Sequence, residues 1–212
     1  MHAPDGGIRR AGEFLHAAEQ GGLLPRLDRW VMEKSIGLLQ QRRAESRPIR
    51  LFVSQAPRTL SQDDFAEWLQ QELTRTGVEG PSLAIDFRLE DALVHALLLR
   101  QLCEQLVPAG VQFCLSQYRH SPEADQLLQQ LPLGYLRLSS DFAKPQPDQA
   151  LQDEMRVVIE RAHRLGLQVI GQSVEDPQAA ATLWVAGIDF IQGNLVQRPD
   201  QALDFDFRSA TL

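Results

Sequence analysis

Short apolar runs alternate along most of the chain with longer stretches in which apolar residues recur every three or four positions. Each short run has the length of a buried strand and is bounded by Pro, Gly or polar residues. The predicted strands are Ile49–Ser54, Ser82–Phe87, Val111–Ser116, Gly134–Ser139, Leu167–Ser173 and Ile188–Gln192. The predicted helices between them are Leu60–Arg75, Glu90–Leu106, Glu123–Leu131, Asp148–Leu165 and Pro177–Ala186. This alternation predicts an α/β fold of successive βαβ units, either a (β/α)8 barrel or an open doubly wound sheet.

Residues at the ends of these segments support the assignment. Thr59 or Ser61 is expected to cap the first of these helices, Gly77 and Gly166 to follow helix C-termini, and Pro177 to occupy a first turn. No Gly-rich phosphate loop follows any predicted strand, which disfavours a nucleotide-binding open sheet.

The N-terminal region differs, because Ala11–Gln20 and Arg26–Gln41 predict two helices in succession. A chain of 212 residues is long enough for one sizeable core. We therefore expect a single domain, with N-terminal helices over residues 1–47, β/α repeats over 48–200 and a C-terminal tail over 201–212.

Charge and composition restrict the partners. The net charge of −7 argues against a general electrostatic grip on nucleic acid, although a local basic pocket for a small anion stays possible. Cys103 and Cys114 lie in apolar segments and predict two buried free thiols, which indicates a reducing, cytoplasmic compartment. Every apolar run is shorter than the roughly 18 residues of a membrane span, so no direct membrane insertion is expected.

Several motifs occur in a fixed order. A stretch GEFLHAAEQGGLL precedes LDRWV, and LFVSQAPRTL, GVQFCLSQYR, LPLGYLRLS, AHRLGLQVIGQSVE and GIDFIQG follow. In this order they resemble motifs of the EAL domain, the cyclic di-GMP phosphodiesterase family, over nearly the whole chain. The resemblance implies a TIM-like (β/α) barrel of the EAL type. In that family two strands, including the one that bears the Glu-Ala-Leu signature, should precede Gly12, and we expect a barrel that lacks them. We expect its open edges to be covered by self-association, by a partner or by the N-terminal helices.

The resemblance implies hydrolysis by two divalent cations held among carboxylates. The family's carboxylates are replaced here by Ser116, Gln117, Ser139 and Gln172. Ser54 stands where the family has an asparagine, and Arg137 stands where it has a lysine that offsets charge on the phosphate. Leu89 stands where a second glutamate belongs, and Asp86 alone keeps a carboxylate. One carboxylate cannot assemble a two-metal site, so we expect no metal, no cofactor and no catalytic residue.

Ser, Gln and Arg all carry hydrogen-bond donors, which makes a metal-free site for cyclic di-GMP plausible. The candidate ligand-binding residues implied by the resemblance are Asp28, Ser54, Asp86, Arg137, Ser173, Glu175, Gln192 and Pro199. Three alternatives stay open. Asp28 can be a helix-start charge, Glu175 can cap the helix that begins at Pro177, and Pro199 can belong to a simple loop turn. Trp184 is expected to pack its helix on the barrel.

The segment TLW with AGIDFIQGN and the closing QRP resembles the FimX group of degenerate EAL proteins. That resemblance implies a catalytically inactive cyclic di-GMP receptor in type IV pilus assembly and twitching motility, with a PilZ-type adaptor as partner. Two alternatives are a residual metal-dependent phosphodiesterase and a scaffold that no longer binds the nucleotide.

Overall fold

The computed structural model describes residues 11–145 and 147–200, so the predicted tail over 201–212 lies outside the described residues. The helices are α1 Ala11–Gln20, α2 Leu24–Ala44, α3 Pro57–Leu60, α4 Phe65–Thr76, α5 Leu89–Val94, α6 Ala96–Leu106, α7 Pro122–Gln130, α8 Gln149–Arg164 and α9 Pro177–Val185. The strands are β1 Leu51–Ser54, β2 Leu83–Arg88, β3 Gln112–Tyr118, β4 Tyr135–Leu138, β5 Gln168–Gly171 and β6 Phe190–Ile191. They form one sheet in the order β1-β2-β3-β4-β5-β6, and all six predicted strands are confirmed.

The described residues divide into two compact units. The first contains residues 11–85 and 97–111, and the second contains residues 86–96 and 112–200 without residue 146. In the first unit α2 packs against β1, α3 and α4. Its core is formed by apolar residues that recur on one face of each helix: Met32, Ile36 and Leu39 of α2, and Phe65, Leu69 and Leu73 of α4.

The second unit is built on parallel pairing of β3 with β4, β4 with β5 and β5 with β6. Nearly all residues of these strands that face the interior are apolar, as expected for a parallel sheet covered by helices. Helix α8 lies against β5 and buries Met155, Val158, Ile159 and Ala162, which share one helical face. Asp148 caps α8 by accepting a hydrogen bond of 2.8 Å from the backbone N–H of Leu151.

Glycine ends two helices as predicted. Gly77 follows α4 with φ of +66°, and Gly166 follows α8 by two residues with φ of +77°. These left-handed conformations are easily adopted only by glycine. Pro177 is the first residue of α9, which also agrees with the sequence.

Three local predictions are wrong. The helix predicted over Glu90–Leu106 breaks at His95, whose ψ of 26° leaves the helical region, and α5 and α6 result. Neither Thr59 nor Ser61 caps α4, because Pro57 starts the separate short helix α3 and Thr59 belongs to it. Trp184 is 44% exposed, since α9 turns Ala179, Ala180 and Leu183 to the interior instead. None of the helices in residues 11–145 and 147–200 has both the length and the apolar character of a membrane span.

Candidate functional site

In the second unit, polar side chains gather toward the carboxyl ends of the strands. Asp86 lies in the second half of β2, Ser116 and Gln117 lie in that of β3, Arg137 lies in β4, and Gln172 directly follows β5. TIM-like folds carry their functional residues at this end of the strands. The positions that the sequence singled out are therefore placed where a ligand site is expected.

Asp86 and Arg137 form a buried ion pair. The guanidinium Nη1 donates to the carboxylate Oδ2 at 2.5 Å, and the two side chains are only 12% and 1% exposed, Arg137 being the more accessible. A buried carboxylate needs a positive charge nearby, because its desolvation is costly. Arg137 supplies that charge from within the protein.

Three substituted positions are tied to the protein itself. The hydroxyl of Ser116 donates to the backbone carbonyl of Phe87 at 3.2 Å. The amide of Gln172 donates to the carbonyl of Leu138 at 2.7 Å. Ser139 is 8% exposed and its hydroxyl oxygen accepts from the backbone N–H of Asp141. A hydroxyl has one hydrogen, so the donor of Ser116 is already used. That Ser116 offers a donor to a phosphate stays a prediction, and it requires this bond to break.

Among residues 11–145 and 147–200, no group of three or more His, Cys, Asp or Glu side chains lies close enough together to hold a metal ion. Cys114 of β3 is buried, and desolvation, followed by the nearby Asp86 carboxylate, raises the pKa of its thiol. A protonated thiol is a poor metal ligand, because the thiolate is the species that coordinates.

The backbone is strained at two polar residues of this region, Gln117 and Ser173. Three non-glycine residues in the described part of the chain have positive φ, and two of them are Gln117 at +59° and Ser173 at +58°. The pairing of β3 with β4 also shifts register between Leu115 and Tyr118, the segment that contains Gln117. Such strain clusters at ligand sites, where it is stabilised by the surrounding structure.

A polar pocket of about 250 Å³ opens beside this edge, between the segments that follow β5 and β6. It is lined by Gln172, Ser173, Glu175, Gln192, Gly193, Asn194, Gln197 and Pro199. Four of the predicted ligand-binding residues thus line one cavity: Ser173, Glu175, Gln192 and Pro199. The alternative for Pro199 as a loop residue is compatible with this position, since the cavity wall here is a loop.

Backbone hydrogen bonds hold the two segments together. Val174 N–H donates to the carbonyl of Gln192 at 3.0 Å, and Leu195 N–H donates to the carbonyl of Val174 at 3.0 Å. Gly193 is required for this approach, because a Cβ atom there would lie 2.1 Å from the carbonyl oxygen of Val174. The pocket wall is therefore fixed by main-chain contacts and does not depend on a ligand for its shape.

Glu175 does not cap α9. Asp176 does so instead, accepting from the backbone N–H of Gln178 at 2.7 Å, so the capping alternative for Glu175 is wrong. The exposed carboxylate of Glu175 accepts from the side-chain amide of Asn194 at 2.7 Å. Asn194 and Gln197 were missed as candidates. The sequence does indicate Asn194 as a site residue, because it directly follows the Gln192-Gly193 motif.

Asp28 and Ser54 lie in the first unit. Asp28 is inside α2, beyond its first turn, and its Oδ2 accepts from the backbone N–H of Ala56 at 2.9 Å and from the hydroxyl of Thr59 at 2.6 Å. It therefore joins α2 to the segment after β1, and the alternative as a helix-start charge is wrong. Ser54 is the exposed last residue of β1.

Comparison with known proteins gives a consistent result. The family model of the EAL domain matches residues 1–199. The FimX EAL domain of Pseudomonas aeruginosa, crystallised with c-di-GMP, is 29% identical with a TM-score of 0.90, over 98% of this chain and 84% of that domain. The FimX EAL domain of Xanthomonas citri in complex with c-diGMP has a TM-score of 0.91 at 22% identity, over 96% of this chain and 81% of that one. These likenesses confirm the TIM-like α/β fold.

Curated relatives are longer proteins. The cyclic di-GMP phosphodiesterase NbdA of Pseudomonas aeruginosa is 26% identical over 201 residues, which are 92% of this chain and 25% of NbdA. A 76.5 kDa protein of Thiocystis violacea is 24% identical over 208 residues, 98% of this chain and 30% of that protein. The chain thus spans about a quarter to a third of the length of these relatives.

Proposed function

The chain belongs to the EAL domain family, and from that premise we propose that it is a catalytically inactive receptor for cyclic di-GMP and a protein-interaction module. Its relatives include cyclic di-GMP phosphodiesterases and FimX domains crystallised with c-di-GMP. The choice between hydrolysis and binding therefore depends on the residues of this chain.

One observation carries the proposal. Where the resemblance implies metal ligands and a charge-neutralising lysine, the side chains bond to the protein itself: Arg137 to Asp86, Ser116 to Phe87, and Gln172 to Leu138. Hydrolysis by two hard cations needs several carboxylate oxygens around them. The one carboxylate that remains, Asp86, is already paired with a guanidinium.

The binding part of the proposal rests on the pocket after β5 and β6. Its lining includes one carboxylate and several neutral side-chain amides, and such groups suit the polar edge of a base. Glu175 accepts hydrogen bonds and Gln192 both donates and accepts. The Asp86–Arg137 pair lies on β2 and β4, toward the same carboxyl end of the strands of the second unit, and its guanidinium supports a phosphate. Asp28 and Ser54 stay predictions from the resemblance.

The likeness to FimX domains supports a narrower role as well. We include in the proposal a function in type IV pilus assembly and twitching motility, with a PilZ-type adaptor as partner and self-association of the chain. Apolar side chains that are individually exposed on α8 and α9, namely Val157, Trp184 and Val185, are available for contact with a protein partner.

Isothermal titration of the whole chain with cyclic di-GMP, in EDTA and in Mg²⁺, tests the central claim. We expect saturable binding with the same Kd in both buffers, because no metal takes part. Binding that needs Mg²⁺, with release of the linear dinucleotide, would instead support a residual phosphodiesterase. An absence of binding in both buffers would support the nucleotide-free scaffold.

A further inference from the structure

Asn194 and Glu175 present a joint edge to the pocket. The carboxylate of Glu175 can only accept hydrogen bonds, so the amide group of Asn194 that faces it at 2.7 Å must be the NH₂. The carbonyl oxygen Oδ1 of Asn194 is consequently turned away from Glu175. Both residues line the same cavity, which therefore contains a carboxylate and an amide acceptor fixed relative to each other.

Two features fix the geometry of this edge before any ligand arrives. The backbone N–H of Val174 donates to the carbonyl of Gln192, and that of Leu195 donates to the carbonyl of Val174. These bonds hold the segments that carry Glu175 and Asn194 in register. Gly193 also packs directly on the backbone of Val174, where a Cβ atom would lie 2.1 Å from the carbonyl oxygen, so the two segments are in direct main-chain contact. A ligand that matches the edge thus binds without first ordering it, which favours affinity.

The size of the pocket restricts what can enter. A volume of about 250 Å³ lies below the roughly 300–1,000 Å³ of sites that enclose a whole drug-sized ligand. It suits one base of a cyclic dinucleotide, with the rest of the ligand outside. A base in such a pocket is read through hydrogen bonds to its exposed edge.

From this geometry we infer that Asn194 is a specificity-determining residue, with Nδ2 holding Glu175 in place and Oδ1 accepting from the 2-amino group of a guanine. The inference rests on the proposed function. Glu175 then accepts from N1–H through its second carboxylate oxygen. Guanine presents donors at both positions, whereas adenine has an amino group on the other side and no hydrogen on N1. An edge of two acceptors therefore selects guanine over adenine.

Cyclic di-IMP provides the sharpest probe, because its hypoxanthine base keeps N1–H and lacks only the 2-amino group. We expect the whole chain to bind cyclic di-GMP about tenfold more tightly than cyclic di-IMP, which is the effect of one lost hydrogen bond of about 1.4 kcal/mol. In Asn194→Ala and in Asn194→Leu, which keeps the side-chain volume, the preference should fall to less than twofold. Gln129→Ala, an exposed substitution on α7, should retain the full preference.

The outcomes distinguish the proposed receptor function from the role of Asn194. If the chain does not bind cyclic di-GMP, the proposed function is wrong and the inference is wrong with it. If it binds cyclic di-GMP and cyclic di-IMP equally, the receptor function stands and the role of Asn194 is wrong. A preference that survives both Asn194 variants, or an equal loss of affinity for both ligands, would assign Asn194 a structural role only. Melting temperatures of the variants show whether each is folded.

Discussion

Arg137 of β4 and Asp86 of β2 neutralise each other inside the second unit, 51 positions apart in sequence and 2.5 Å apart in space. The pair lies where the family resemblance implies metal-binding chemistry. The guanidinium of Arg137 thus balances the charge of the buried Asp86 carboxylate.

Breaking this pair should destabilise the protein. Removal of one partner of a buried pair leaves an uncompensated charge, so Asp86→Ala or Arg137→Ala should lower the free energy of unfolding by about 3 kcal/mol or more. Urea denaturation measures this change. Arg164→Ala is the matched control, because its bond to Glu160 is exposed and worth about 0.5 kcal/mol at most. Equal effects of Arg137→Ala and Arg164→Ala would contradict the buried pair.

Metal-dependent turnover should be absent. With Mg²⁺ or Mn²⁺ present, the chain should not convert cyclic di-GMP to the linear dinucleotide above buffer background, because a single paired carboxylate cannot hold two cations. Chromatography of the reaction products is the measurement. Turnover that Asp86→Asn abolishes would show that the ion pair opens to admit metal, and the proposed function would be wrong.

Glu175 and Asp28 should differ in their effect on stability. Glu175 is exposed and its side chain bonds to Asn194, so Glu175→Ala should leave the melting temperature unchanged and weaken cyclic di-GMP binding about tenfold or more. Asp28→Ala should likewise weaken binding about tenfold or more. Because Asp28 joins α2 to Ala56 and Thr59, this variant should in addition lower the free energy of unfolding by about 1–3 kcal/mol. Calorimetry and titration on the same samples measure both quantities. Unaltered affinity in either variant would show that the residue replaced does not contact the ligand.

Gly193 and Gly37 form a matched pair of glycine substitutions. A Cβ at Gly193 would lie 2.1 Å from the carbonyl oxygen of Val174, whereas one at Gly37 in α2 meets no atom within 4 Å. Gly193→Ala should therefore destabilise the protein and weaken ligand binding. Gly37→Ala should stabilise it by about 0.5–1 kcal/mol, because alanine favours helix interiors. Thermal unfolding that gives both variants the same melting temperature would contradict the close contact of the two pocket segments.

Both cysteines should resist thiol reagents in the folded protein. Burial raises the pKa of Cys103 to about 12 and also raises that of Cys114. The thiolate is the reactive species, so a raised pKa keeps both thiols protonated and unreactive from pH 7 to pH 9. Ellman's reagent should release little colour from the native chain and two equivalents in guanidinium chloride. Rapid reaction of the native protein at pH 8 would show that the strand and helix that carry the thiols open readily.

Several features of this protein follow from the amino-acid sequence by itself. The apolar runs predicted all six strands, and glycine after α4 and α8 marked the ends of those helices. These features depend on short-range patterns, because strand burial and left-handed backbone conformations are set by residues close together in the chain. The motif order identified the family, and the replaced carboxylates argued against a two-metal site.

The tertiary structure decided the partner of each polar side chain. The sequence left Glu175 between a capping role and a ligand role, and folding gave the cap to Asp176 and brought Asn194 to Glu175 from 19 positions away. Ser116 and Gln172 bond to carbonyl groups 29 and 34 positions away. A periodic pattern records which face of an element is buried, but a hydrogen bond depends on distance and direction between groups on different elements. Only the packed strands fix those distances.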